Sequence, residues 1–148
     1  MSNLETTSQS RPMRLLSIDG GGLAGLIPAE SLVEIEAQLD ALTGESRPLC
    51  ERFNLIGGTS TGAILAAGLA LGLKAGQLRD FYLRFGKDIF SKVFWPERLW
   101  HNYPSAPLEK HLKDVYGEAT TLGGENLKTS ILNRSEECDP RHYLVFYQ

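Results

Sequence analysis

Residues 53–73 constrain the fold more than any other stretch of the chain. An apolar run, Phe53-Asn54-Leu55-Ile56-Gly57, leads into Gly58-Thr59-Ser60-Thr61-Gly62, and an Ala/Leu-rich run continues to Leu73. A short apolar run, a glycine-flanked serine and a helix-forming run predict a strand, a sharp turn and a helix. In that setting the G-x-S-x-G pattern is a nucleophile elbow. Its logic is steric. The serine is held in a strained backbone conformation that pushes its hydroxyl out from the end of a sheet. Side chains two residues before and after it would collide as strand and helix close, so glycine is required at both places. Gly58 and Gly62 occupy them. The start of the following helix also leaves free N–H groups near Ser60.

A second glycine cluster precedes the first. Met13–Ile18 reads as a short buried strand that ends at Asp19-Gly20-Gly21-Gly22. Pro28 is expected to open a helix as its first residue. Leu32, Ile35, Leu39 and Leu42 form the apolar stripe of that helix, Thr43-Gly44 stops it, and Glu30, Glu34, Glu36 and Asp40 make its solvated face. Gly20 through Gly25 also matches G-x-G-x-x-G, which suggests a dinucleotide-binding Rossmann-type domain as one alternative. That reading needs an acidic residue at the end of a second strand, about 20 residues on. The position falls near Asp40, inside the first helix, so the context fails. Beside a nucleophile the loop has another use. Consecutive glycines let backbone N–H groups converge on a small anion. An ester attacked by Ser60 passes through a tetrahedral oxyanion, and one preorganised donor there is typically worth about 3 kcal/mol. Two such turns at the ends of adjacent parallel strands would share one sheet edge.

The rest of the chain supplies a frame for these motifs. The helix after Ser60 is rich in small residues, and its interior Gly68, which costs about 1 kcal/mol relative to Ala, implies a packing reason. Leu78, Phe81, Tyr82, Phe85 and Ile89 form a helical core stripe. Residues 93–104 read as a loop whose Phe94, Trp95, Trp100 and Tyr103 pack the core rim; lining an acyl-binding mouth is their competing use. A helix is expected over Leu108–Tyr116 between Pro107 and Gly117, with His111 packed on its apolar face. Two strands follow, Leu127–Asn133 and His142–Tyr147, joined as a hairpin through residues 135–141. The order β-α-β-α-α-α-β-β predicts an α/β fold with a mainly parallel sheet. Such a sheet needs helices on both faces. Residues 13–148 are therefore expected as the N-terminal part of a larger domain, incomplete at its C-terminus, and the polar residues 1–12 as a disordered lead-in.

Composition narrows the chemistry. Hydrophobic residues make up 42% of the 148 and charged residues 22%, which is enough for one proper core. A net charge of −3 argues against nucleic acid as a partner. Cys50 and Cys138 do not make a disulfide framework, and no Cys/His spacing suggests a metal site; no cofactor is expected. The polar N-terminus has no apolar leader, and the longest apolar run, Ala63–Leu73, is too short to span a bilayer. A cytoplasmic protein is expected, with membrane contact confined to the periphery.

Asp19-Gly20-Gly21-Gly22-Leu23-Ala24-Gly25-Leu26-Ile27-Pro28-Ala29, followed by Phe53 through Gly62, resembles the patatin-like phospholipase family. The resemblance covers about Arg14 to Lys92. It implies a three-layer α/β/α fold, a Ser-Asp dyad and hydrolysis of acyl esters in lipid degradation. It also implies Ser60 as nucleophile and Gly20, Gly21 and Gly22 as the oxyanion loop, with Asp19, Gly25, Gly58 and Gly62 supporting the motifs. Asp19 is expected to shape the turn rather than move a proton. Two departures stand out. Where the family usually carries Arg or Lys two residues after the third glycine, this chain has Ala24. The family's dyad aspartate lies in a later Asp-Gly-Gly or Asp-Gly-Ala, and after Asp19 no Asp here is followed by Gly. A Ser60–Asp114–His142 triad has the order used by α/β-hydrolases, but His142 opens an expected strand instead of a loop. Two readings remain beside the dinucleotide one: a serine lipid acyl hydrolase whose Asp lies outside this chain, and a non-catalytic truncated module that binds lipid or a protein partner.

Overall fold

The computed structural model describes residues 12–90, 105–121, 124–134 and 144–146. Four strands form one sheet in the order β1 (Leu15–Ile18), β2 (Leu55–Thr59), β3 (Ser130–Arg134), β4 (Leu144–Phe146). The first three run parallel, with Ile18 level with Gly58 and Gly58 with Asn133. β4 returns antiparallel on β3, as the expected hairpin requires. The helices are α1 (Leu26–Thr43), α2 (Thr61–Ala70), α3 (Ala75–Phe90) and α4 (Ser105–Tyr116). The element order and the α/β class agree with the sequence. β1 and β3 are shorter than expected and start two and three residues later, whereas β2 keeps five residues but is shifted two residues on, to end at Thr59.

Alternation along the strands separates the two faces of the sheet. Ile18, Ile56 and Ile131 are buried and meet Leu65, Leu69 and Leu78 of the helices in one core. Right-handed β-α-β crossovers that progress in one direction along a sheet put their helices on the same side. The opposite face carries Leu15, 64% exposed, and Leu55 and Leu132, half-buried.

α2 explains its own composition. Leu65, Ala66, Leu69 and Ala70 are fully buried, and a Cβ at Gly68 would lie 2.4 Å from Leu78 Cδ2 and 3.2 Å from Tyr116 Cε1. Gly68 is therefore the close-packing point of α2 against α3 and α4. The Tyr116 hydroxyl donates to the Ile64 carbonyl at 2.7 Å and fastens α4 to the same helix. His111 is half-buried against the Phe85 ring, with centroids 4.3 Å apart, in keeping with a packed histidine.

α1 starts before Pro28, not at it. A 3-10 turn over Gly22–Gly25 runs directly into the helix at Leu26. Proline is tolerated there because the N–H groups of a first helical turn have no partner within the helix. Pro107 is likewise the third residue of α4. Gly44 ends α1 as anticipated, with φ 69° and its N–H on the Asp40 carbonyl. The apolar stripe is only half as drawn. Leu32 is buried and Leu39 packs on the core, but Ile35 is 38% and Leu42 83% exposed.

The solvated face of α1 also needs correction. Glu36 is buried, because α3 packs across α1 there and its first N–H, at Ala75, needs an acceptor: Glu36 Oε2 takes it at 3.2 Å. Asp40 is half-buried and paired with Arg52. Desolvation pushes the Glu36 carboxyl above its ordinary range. The folded state then holds this proton more tightly than the unfolded chain. Stability from this group is highest at acid pH and falls as pH rises from about 4.5 through the raised value. Glu36→Gln removes that titration, so thermal melts should show the variant gaining on the wild type between pH 4.5 and pH 8. Parallel stability–pH profiles would show that Glu36 titrates as an exposed carboxyl.

The lead-in through residue 11, the aromatic loop with Phe94, Trp95, His101, Trp100 and Tyr103, and the connection holding Cys138 and His142 lie outside the described residues. Cys50 is buried and free.

Candidate active site

Ser60 sits between the end of β2 and the start of α2 with φ 52° and ψ −126°. Among the described residues it is the one non-glycine residue with positive φ. Positive φ at this residue makes the turn from strand to helix a sharp one, and holding a side chain there costs roughly 1–3 kcal/mol. Ser60 stands at the helix N-cap, yet its hydroxyl makes no capping hydrogen bond, and the residue is exposed. A serine at this position normally caps the helix. Here the hydroxyl leaves the helix amides uncapped.

The glycines around it are packed backbone against backbone. A Cβ at Gly58 would lie 2.3 Å from the Gly62 carbonyl oxygen, and one at Gly62 would lie 2.2 Å from the Ile18 carbonyl oxygen. One at Gly20 would sit 2.4 Å from the Thr59 oxygen and 2.6 Å from the Thr61 nitrogen. The ends of β1 and β2 and the first turn of α2 thus meet with no room for a side chain. The parallel pairing of β1 with β2 brings the Gly20–Gly22 loop to the tip that carries Ser60.

The loop itself is ordered by short contacts. Ala24 N–H closes a turn on the Gly21 carbonyl at 3.1 Å, and Gly22 has φ 58° with open space where a side chain would be. The Gly21 N–H donates to Thr61 Oγ1 at 3.0 Å. Gly25 lies under the Tyr82 ring of α3: a Cβ there would come within 2.4 Å of the phenol oxygen. The Tyr82 oxygen is also 3.5 Å from the Thr61 carbonyl. Asp19 is exposed at the mouth of the loop.

The structure therefore gathers Asp19, Gly20, Gly21, Gly22, Gly58, Ser60 and Gly62 at one sheet edge, with Gly25 one turn further on. It also adds two residues that the motifs did not single out. Thr61 is the second variable position of G-x-S-x-G, and Tyr82 was hidden in a core stripe. Only their contacts across the sheet edge reveal them. Asp114 is exposed on α4, and His142 lies outside the described residues. The acidic residue that a dinucleotide site would need is missing from the end of β2, which closes at Thr59; Asp40 sits in α1 on Arg52. Among the described residues no three His, Cys, Asp or Glu side chains gather as metal ligands.

A family profile described as patatin-like phospholipase matches residues 16–139. The chain belongs to the patatin-like phospholipase family. Among curated relatives, Patatin-like protein 2 of Arabidopsis thaliana is 38% identical over 102 residues, which is 64% of this chain and 25% of the relative. The cGAMP-activated phospholipase of Vibrio cholerae is 35% identical over 132 residues, 81% of this chain and 37% of the relative. An intracellular phospholipase A2 of Caenorhabditis elegans is 32% identical over 108 residues, 73% of this chain and 9% of the relative. The patatin-like chain thus spans a quarter of the first relative and just over a third of the second. Among its described residues no helix is long and apolar enough to cross a membrane.

Proposed function

We propose that this patatin-like chain carries the nucleophile and oxyanion half of a serine acyl hydrolase site for lipid esters. The observation that carries the reading is Ser60, exposed, uncapped and at φ 52° on the turn from β2 to α2. In the reaction its Oγ would attack the acyl carbonyl carbon, the ester C–O bond would break, and the alcohol would leave. Water then releases the acid from the acyl-serine. The Gly20–Gly22 loop supplies backbone N–H groups to the oxyanion of each tetrahedral intermediate. An apolar cavity of about 530 Å³ starts at Ala63 and Ile64, on the first turn of α2, and continues along Ala67, Leu71 and Leu112. It supports an acyl chain as the substrate's apolar part, presented at the periphery of a membrane.

The general base is the missing partner. No Asp after Asp19 is followed by Gly, so the dyad Asp of this reading belongs to sequence beyond the 148 residues. The half-exposed apolar face at Leu15, Leu55 and Leu132 supports the same view, since a parallel sheet is stable with both faces covered. The 148-residue chain alone is then an incomplete enzyme. The non-catalytic reading, a module that binds lipid or a protein partner, rests on the same absent Asp.

A fluorophosphonate probe separates the two. Attack of Ser60 Oγ on phosphorus expels fluoride and leaves a stable ester. A form extended through a downstream Asp-Gly-Gly or Asp-Gly-Ala is expected to label rapidly on the peptide 53–74 and to hydrolyse short acyl esters. The 148-residue chain is expected to label slowly and to turn over little. An extended form that carries such an Asp and still neither labels nor hydrolyses would leave the binding module as the correct reading.

A further inference from the structure

We propose that Thr61 is a positioning residue: its hydroxyl oxygen locks the glycine loop onto the elbow through the Gly21 N–H and so sets the reach of the loop's amides to Ser60. The role deepens the Ser60 reading and rests on it for its catalytic part. The two motifs are 40 residues apart in sequence, and the 3.0 Å bond from Gly21 N to Thr61 Oγ1 joins them directly. Among the described residues no other side-chain hydrogen bond links residues 19–25 with 58–62. At Gly20, Gly58 and Gly62 the approach is backbone against backbone, which limits distance but fixes no orientation. A hydrogen bond to a defined acceptor does fix the plane of the peptide that donates it.

The position suits the task. Thr61 is 5% exposed, so water does not compete for its oxygen. It is the first residue of α2 and immediately follows Ser60, so the acceptor moves with the nucleophile. Its β-branched side chain has few rotamers, which keeps the oxygen in place. On its other side, Tyr82 approaches both the Thr61 carbonyl and Gly25. The loop is thus held at Gly21 by Thr61 and packed at Gly25 against the Tyr82 ring, with Gly22 between the two. The bond also occupies the Gly21 amide. The lock therefore assigns Gly21 to holding the loop and leaves the neighbouring amides to meet the oxyanion.

The test compares wild type with Thr61→Val, which keeps shape and removes the acceptor, and Thr61→Ser, which keeps the acceptor. Amide hydrogen exchange at Gly21, read by NMR on the 148-residue chain, should be slow in wild type and Thr61→Ser and at least about tenfold faster in Thr61→Val. In the extended form, the limiting rate of fluorophosphonate inactivation and kcat for a short ester should fall about 10–100-fold in Thr61→Val. The half-saturation concentration of the probe and KM should stay within about twofold, and Thr61→Ser should restore the rates. Should Thr61→Val fail to fold, Thr61→Ala against Thr61→Ser isolates the same oxygen. Unchanged Gly21 exchange without the acceptor overturns the lock. Faster exchange with unchanged rate constants overturns its catalytic part. A wild-type extended form that never labels, with Gly21 still protected, overturns the Ser60 reading and leaves the lock standing as structure.

Discussion

Ser60→Ala is expected to abolish fluorophosphonate labelling and to cut acyl-ester hydrolysis by the extended form at least about 10³-fold. Among the described residues of the two turns, 19–25 and 58–62, Ser60 carries the one exposed hydroxyl. Thr61 has its oxygen buried and engaged by Gly21, and Thr59 is half-buried at the end of β2. Alanine keeps the backbone constraint of φ 52°, so the thermal midpoint should scarcely move. Ser60→Gly should lose activity equally and yet melt higher, because glycine takes positive φ without strain. Expected activity and stability therefore part company at a single position. Turnover that survives in Ser60→Ala would remove Ser60 from the chemistry. A Ser60→Gly protein that melts lower than wild type would show that φ 52° is unstrained here.

The second large effect concerns folding. Gly62→Ala should destabilise the protein by at least about 3 kcal/mol and lower its melting point on the order of 10 °C. The added methyl would lie 2.2 Å from the Ile18 carbonyl oxygen and 3.0 Å from the Asp19 carbonyl carbon. Both are backbone atoms at the end of β1 and cannot swing aside as a side chain could. Relief would require α2 to lift from β1, which would also part the Gly20–Gly22 loop from Ser60. Reduced fluorophosphonate reactivity should therefore accompany the loss of stability. Gly76→Ala is the matched control. Position 76 lies in α3 with nothing within 4 Å of a new Cβ, so the substitution should be neutral or stabilising through helix propensity. Equal melting points for Gly62→Ala and Gly76→Ala would refute the close approach of α2 to β1.

The elbow was legible from sequence because its requirements are local. An elbow of this kind holds its tip residue in a strained conformation and leaves no room for side chains two residues to either side, and Gly58, Ser60 and Gly62 state this within five positions. The end of α1 was legible for the same reason, since Gly44 supplies the left-handed cap. The element order followed from periodicity and glycine punctuation. Where the sequence misled, the cause lay outside the local pattern. Glu36 looked like a solvated acid on a polar face until α3 presented the Ala75 N–H to it. Leu42 looked like core, but α1 outruns the surface it packs on, and the residue stands 83% exposed.

The sequence alone thus determined an α/β chain with a glycine loop after one strand and a serine elbow after the next, because each is a covalent-geometry constraint written over a few adjacent residues. Tertiary structure alone decided that the two motifs are one site. Parallel pairing of β1 with β2 brings Gly20 against the Thr59 oxygen, and the Thr61 hydroxyl takes the Gly21 N–H across 40 residues. No periodicity or spacing encodes such a contact, since it depends on which strand edges meet and how closely a glycine-lined helix end can approach them.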